Sequence, residues 1–276
     1  MTLKILTWNT AGRTRRIPEQ WEYVKTKDAD ILCLQEIQHG GDLIWRERLS
    51  TQYRYVVSSV SLVTDRSKTG PRKYHLIIAS KQEIELDMHS SKLVPWFERL
   101  LVVNHIESNL KIATTHIPPG GNNGWVKIEF FEGLYKLLAV APTILTGDFN
   151  SPRDEFEDGT LVTWGQRVNS KGEVKLRKKI HGENGKRWHE GEFNLLKGIS
   201  RINYMDFYRN KNGYDSAYSW LTGKDKNIKY RFDHIIGPKH LKVINATYDH
   251  SVLSAKLSDH ASLISEFSLD LSKVQI

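Results

Sequence analysis

The chain has 276 residues, long enough to bury a large core without disulfides or a structural metal. Apolar residues make up 39% and charged residues 26%, which excludes a disordered chain, and no apolar run approaches the roughly 18 residues of a membrane span. Forty Lys and Arg against 32 Asp and Glu leave a net +8, a balance that suits an anionic partner such as nucleic acid, or simply a well-solvated surface.

Residues 1–7 reach charged and polar side chains too early for a secretory signal. The single cysteine, Cys33, excludes a disulfide framework and a multi-cysteine zinc site, so a cytoplasmic location is expected. Residues 3–8 predict a short strand. Residues 18–27 predict a helix, with Ile17, Trp21 and Val24 at helical spacing. Residues 31–34 form a continuous apolar run, as in a strand covered on both faces. A helix follows over 42–49, then strands over 53–63 and 74–80, joined by a loop carrying Arg66, Lys68, Arg72 and Lys73. Pro95-Trp96-Phe97 reads as a buried turn. Residues 99–106 and 110–117 predict a hairpin through Glu107-Ser108-Asn109. Residues 118–124, with two prolines and three glycines, predict a loop. Over 125–140 a helix is expected, with Val126, Phe130, Leu134, Leu137 and Leu138 on one face. A strand over 143–146 follows. Residues from about 151 to 200 are polar and weakly periodic and read as a basic insertion or loop. A short helix over 201–209 and strands over 230–236 and 261–267 complete the chain. With no repeat and no linker, one domain over 1–276 is expected.

Polar residues gather at the ends of the apolar strands. Asn9, Glu36, His116, Asp148 and Asn150 each follow one, Asp233 lies in another, and Asp259 and His260 precede the last. Ligands collect at strand ends, where side chains are held rigidly. Singly, each residue reads as a cap, a turn residue or a hydrogen-bonded core histidine; six strand ends carrying them point to a shared site. Carboxylates with Asn and His, and no cysteine, suit a hard cation such as Mg²⁺. Two histidines beside it could contact phosphate or protonate a leaving oxygen. These are the parts of a phosphoester hydrolase. Neither Gly-x-Ser-x-Gly nor a P-loop occurs.

Taken in order, Thr7-Trp8-Asn9, Leu34-Gln35-Glu36, Thr115-His116, Gly147-Asp148-Phe149-Asn150, Arg231-Phe232-Asp233-His234 and Ser258-Asp259-His260 resemble the endonuclease/exonuclease/phosphatase superfamily over residues 7–260. The resemblance implies an α/β (α+β) fold: a four-layer sandwich of two mixed β-sheets packed face to face, with helices outside. It implies a divalent-cation-dependent phosphodiesterase or phosphatase using Mg²⁺, with Mn²⁺ as the alternative. Glu36 would be the principal metal ligand, Asn9 would lie beside the metal and Asp259 would support it. Asp148 would orient or deprotonate the attacking water, and Asn150 would hold the phosphate or Asp148. His260 would contact the scissile phosphate, with Asp233 fixing its tautomer. His116 would be a second phosphate contact or a general acid.

Ala11 stands two residues after Asn9, where abasic-site endonucleases of the family carry an acid, so a general nuclease or another phosphodiesterase is expected ahead of an abasic endonuclease. Tyr218-Ser219-Trp220, Tyr230 and Phe232 resemble an aromatic stretch that helps DNA-repair members grip a nucleotide, or else pack in the core. Residues 166–201 hold ten Lys and Arg against four acids, a net of +6, and could form a strand-gripping arm or a solvated hairpin. Arg13, Trp220, Tyr230, Lys175, Arg177, Lys178 and Lys179 are therefore the candidate substrate contacts. The expected partner is nucleic acid, DNA ahead of RNA, with no membrane and no obligate protein partner. The competing expectations are a tyrosyl-DNA phosphodiesterase-like activity, an inositol-phosphate or sphingomyelin phosphodiesterase, and a non-catalytic nucleic-acid-binding module.

Overall fold

In the computed structural model, residues 1–222 and 227–269 are described. The elements in chain order are β1 (Thr2–Asn9), α1 (Ile17–Lys27), β2 (Ile31–Gln38), α2 (Asp42–Leu49), β3 (Tyr55–Ser58), β4 (Tyr74–Ser80), β5 (Ile84–Leu86), β6 (Leu100–His105), β7 (Leu110–His116), α3 (Gly120–Asn123), α4 (Val126–Val140) and β8 (Thr143–Asp148). There follow β9 (Asp154–Glu155), β10 (Leu161–Val162), β11 (Gln166–Val168), β12 (Val174–Leu176), α5 (Gly185–Leu196), β13 (Tyr204–Asp206), α6 (Phe207–Asn212), β14 (Trp220–Thr222), β15 (Ile228–Tyr230), β16 (Asp233–Pro238), β17 (Lys242–Asp249), α7 (Ser251–Ser254) and β18 (Ser262–Ser268).

Two six-stranded sheets form, in the orders β17-β18-β1-β2-β4-β3 and β13-β16-β8-β7-β6-β5. Both are mixed: β1 pairs with β2, and β7 with β8, in parallel, among otherwise antiparallel neighbours. The apolar runs are continuous because both faces of each strand are buried. In β2, Ile31 and Cys33 face the layer between the sheets, while Leu32 and Leu34 face α1 and α2. In β6, Leu101 and Val103 enter the same inner layer, while Leu100 and Val102 pack with α4 and α5. The period of two thus builds four layers: helices, sheet, sheet, helices.

Several expectations are corrected. The strand expected over 53–63 is only Tyr55–Ser58; Ser59–Leu62 turns into a 3-10 helix. The loop after it is two further 3-10 turns. The helix expected over 201–209 is a 3-10 turn, then strand β13, then helix α6, which starts at Phe207 because the Asp206 carboxylate accepts from Arg209 N and caps it. The strand expected over 230–236 breaks into β15 and β16. Pro95 and Phe97 are exposed and Trp96 is half-buried, so that turn is not buried. Within 118–124, α3 makes one helical turn. The weakly periodic 151–200 region contains β9 to β12 and α5, whose apolar face packs on α4 through Trp188 and Leu195.

Candidate active site

The parallel pairs bring strand ends together across the two sheets. In one sheet Asn9 pairs with Gln35, the neighbour of Glu36; in the other His116 pairs with Asp148, and Asp148 with Asp233. Glu36 lies in a β-bulge between Leu34 and Ile37 and has φ 57°, a conformation rare for a residue with a side chain. Such strain is held where the surroundings over-determine it, commonly at functional sites. Asn150 has φ 51°, which Asn tolerates better than most residues.

The side chains converge. Asn9 Nδ2 donates to Glu36 Oε1 at 3.2 Å and to Asp148 Oδ2 at 2.9 Å, bridging the two carboxylates. Its Oδ1 is taken by the Ala11 N–H at 2.9 Å, so Asn9 offers the carboxylates its N–H groups and not its oxygen. His116 Nε2 lies 3.4 Å from Glu36 and 3.7 Å from Asp148. Glu36, His116 and Asp148 place one ligand atom each within 4.8 Å of one another. On the other side His260 Nε2 is 3.7 Å from Asp148 Oδ2, and His260 Nδ1 is bound by Asp233 Oδ2 at 2.7 Å. Asn150 N donates to Asp148 Oδ1 at 2.8 Å, and Asn150 Nδ2 donates to Ile117 O at 2.9 Å. Ser258 Oγ donates to Asn9 O at 2.6 Å and accepts from His260 N at 3.0 Å, tying the last strand to the first.

Two residues not anticipated from sequence complete the polar shell. Arg99, buried at the start of β6, donates from Nη1 to His116 Nδ1. That bond leaves the ring hydrogen on Nε2, so His116 presents a donor toward the carboxylates. Lys127 on α4, also buried, donates to the Asn150 carbonyl at 2.7 Å. No local signal marks Lys127, because the same helix also carries Glu129, Glu132 and Lys136.

Electrostatics follow from burial. Burial pushes the Asp148 carboxyl up to about 7; His260 opposes the rise, and Asp233 and Glu36 add to it. Burial also raises Glu36. Burial disfavours charged His260, but Asp233 and Asp148 outweigh it and raise the imidazole to about 10. Burial, with Arg99 and His260, holds His116 well below its usual range and therefore neutral. A buried carboxylate, Asp148, and a partly exposed one, Glu36, with oxygen atoms facing each other across a seam, fit a hard divalent cation.

The remaining expected residues divide. Asp259 is exposed and accepts from Trp220 Nε1 at 3.2 Å, outside the cluster of Glu36, His116 and Asp148. Arg13 donates to Lys256 O at 2.7 Å and borders a small cleft with Glu36. Trp220, Tyr230 and Phe232 stack with centroids 4.9 to 6.0 Å apart and form one wall of a cavity of about 670 Å³ that opens beside Asn150. The facing wall comes from the basic region: Arg177, Lys179, His181 and Trp188. Lys178 is exposed, and Lys175 is exposed and paired with Glu173 at 2.7 Å, so neither borders the cavity.

A family model described as the Endonuclease/Exonuclease/phosphatase family matches residues 6–260. A DNA-(apurinic or apyrimidinic site) endonuclease of Dictyostelium discoideum is 24% identical over 261 residues, 87% of this chain; the match spans 63% of that relative's length. An exodeoxyribonuclease of Bacillus subtilis is 23% identical over 258 residues, covering 87% of this chain and 90% of that protein. Among solved structures, an AP endonuclease from Archaeoglobus fulgidus superposes with TM-score 0.67 at 20% identity, over 97% of this chain and 100% of that one. A 3′ phosphatase from Neisseria bound to a product DNA hairpin gives 0.67 at 18%, with the same coverage. Humanized D. rerio TDP2 gives 0.63 at 15%, over 97% and 99%.

Proposed function

Because the chain belongs to the endonuclease/exonuclease/phosphatase family, we propose that it hydrolyses phosphodiester bonds of nucleic acid, DNA ahead of RNA, with water attacking phosphorus in line and Mg²⁺ ahead of Mn²⁺ as the cation. One observation carries the reading: Glu36, Asp148, His116 and the His260–Asp233 pair meet at one end of the sandwich, beside a cavity with an aromatic wall and a basic one.

Glu36 would hold the cation, with Asp148 facing it from the opposite sheet. When bound, the cation supplies Lewis-acid charge that offsets the negative charge gathering on phosphate oxygens. Asp148, poised near neutrality, takes a proton from the attacking water; the Asn150 N–H on its Oδ1 leaves Oδ2 turned toward the seam. His260 stays protonated, its Nδ1 proton on Asp233, and its Nε2–H is directed at a phosphate oxygen. His116 is a neutral Nε2–H donor set by Arg99, which favours a phosphate contact over a general acid. Trp220, Tyr230 and Phe232 offer flat faces for a base, while Arg177 and Lys179 face the backbone charge.

The test is a panel of plasmid, single-stranded DNA, RNA, abasic duplex, 3′-phosphate and 5′-tyrosyl oligonucleotides, an inositol phosphate and sphingomyelin, with Mg²⁺ or EDTA. EDTA-sensitive product from any nucleic acid is expected. Turnover confined to an inositol phosphate or sphingomyelin would reassign the substrate. No turnover on any of these would leave a binding module.

A further inference from the structure

A buried polar strut connects the basic region to the Asn150 loop. Glu192, on α5, is fully buried and accepts four donors. Ser151 Oγ at 2.9 Å and Trp188 Nε1 at 3.0 Å reach its Oε1, as does Lys127 Nζ at 3.2 Å; the Trp164 N–H reaches its Oε2 at 2.7 Å. Lys127 then donates to the Asn150 carbonyl at 2.7 Å, which also accepts from Trp164 Nε1 at 3.0 Å. A carboxylate and an ammonium with almost no exposure would destabilise the fold unless each were fully hydrogen-bonded, and replacing such a pair by apolar groups is often neutral. Stability alone gives little reason to bury this one. Its partners give another: three of the four donors to Glu192, Lys127, Trp164 and Trp188, line the cavity, the fourth, Ser151, follows Asn150, and the chain of bonds ends on the residue that holds Asp148.

We propose that Glu192 and Lys127 are positioning residues. They hold the left-handed Asn150 backbone, and through it Asp148, in register with whatever occupies the cavity side that buried Trp188 backs. This rests on the hydrolase reading above, which it deepens. Trp188 donates to Glu192 from one turn earlier on α5, so the cavity wall and the catalytic loop share one carboxylate. Substrate seated against that wall is thereby registered at the loop that orients water.

The test compares Glu192→Gln, Ser151→Ala and the double variant Lys127→Met with Glu192→Gln. Four readouts are taken: kcat, KM, melting temperature, and amide hydrogen exchange of the segment 147–152. Glu192→Gln is expected to lose about tenfold or more in kcat at a KM within about twofold of wild type, and to exchange faster in 147–152 while the sheet strands stay protected. The double variant is expected to melt near wild type and yet keep the low kcat. If kcat recovers together with melting temperature, the pair is structural and the proposal falls. Ser151→Ala removes one hydroxyl whose hydrogen bond goes to Glu192, so its fold is secure should the double variant not fold. It is expected to lose about threefold or more in kcat at constant KM; wild-type kcat would overturn the proposal. Wild type run alongside separates the two ideas. An inactive wild type refutes the hydrolase reading, while unchanged exchange over 147–152 in Glu192→Gln refutes the strut.

Discussion

Asp148 and His260 sit 3.7 Å apart with opposed needs: burial pushes one toward its neutral form, and carboxylates on two sides hold the other protonated. Replacing Asp148 by Asn keeps the hydrogen bond from the Asn150 N–H but removes the proton acceptor. Replacing His260 by Ala removes the imidazolium that the proposed mechanism directs at the phosphate. Each is expected to lower cleavage by about 100-fold or more with the circular dichroism spectrum unchanged, as read by initial rates on a labelled oligonucleotide. These two, with Glu36, His116, Asn150 and Asp233, were legible in sequence because each stands at or beside an apolar strand's end, where periodicity stops and chemistry begins. Arg99 and Lys127 were not, because each reads as part of the element that carries it. A charged group under a core is recognised only when its partners, His116 and Glu192, are known to lie beside it.

The elements that position the site differ in how plainly they were written. Helix α2 and the hairpin β6–β7 follow their patterns almost to the residue, because amphipathic spacing and a three-residue turn are local. The stretch from 151 to 200 does not, since β9 to β12 are two or three residues long and α5 is held by packing on α4. Within it, Arg177 and Lys179 border the cavity while Lys175 and Lys178 do not. Neutralising Arg177 and Lys179 is therefore expected to weaken DNA binding more than neutralising Lys175 and Lys178. The slope of log affinity against log salt should fall by about 0.9 for each phosphate that the protein then leaves unneutralised. Fluorescence anisotropy across a salt series reads both. Strand β8 offers a sharper test. Gly147 has φ +128°, and a Cβ there would sit 2.0 Å from the Thr115 carbonyl oxygen of the paired strand. Gly147→Ala is expected to cost about 3 kcal/mol or more in urea unfolding, because the backbone carrying Asp148 must shift.

At the scale of the molecule, Asn9 and Glu36 belong to one sheet and His116, Asp148 and Asp233 to the other. Two carboxylates across that seam, Asp148 buried and Glu36 partly so, bind protons more tightly folded than unfolded, Asp148 with a folded value near 7 against an ordinary 3.8. Without a cation, stability therefore falls as pH rises through the range between those values. His260 adds stability that is complete below 6.5 and lost as pH climbs through about 10. His116 and His75, held below the usual imidazole range by burial, work the other way up to about pH 6.5, so differential scanning fluorimetry in EDTA should show the melting temperature declining from about pH 7 to about pH 9. Mg²⁺ should raise it more at about pH 8 than at about pH 5.5, since protons compete for the same oxygens. The layered architecture was expected from the family resemblance, while from the residues themselves only the continuous apolar run over 31–34 read as a strand covered on both faces. Which strands pair across the chain was not legible, because β1 pairs with β18 and β8 with β16, partners distant in sequence. One further consequence lies in the inner layer, where Cys33, the sole thiol of the chain, has no accessible surface and burial pushes its pKa up to about 12. A thiol-reactive dye can reach it only when the two sheets part, so the labelling rate becomes a clock for sandwich opening, and it should slow when Mg²⁺ clasps the same seam at Glu36 and Asp148.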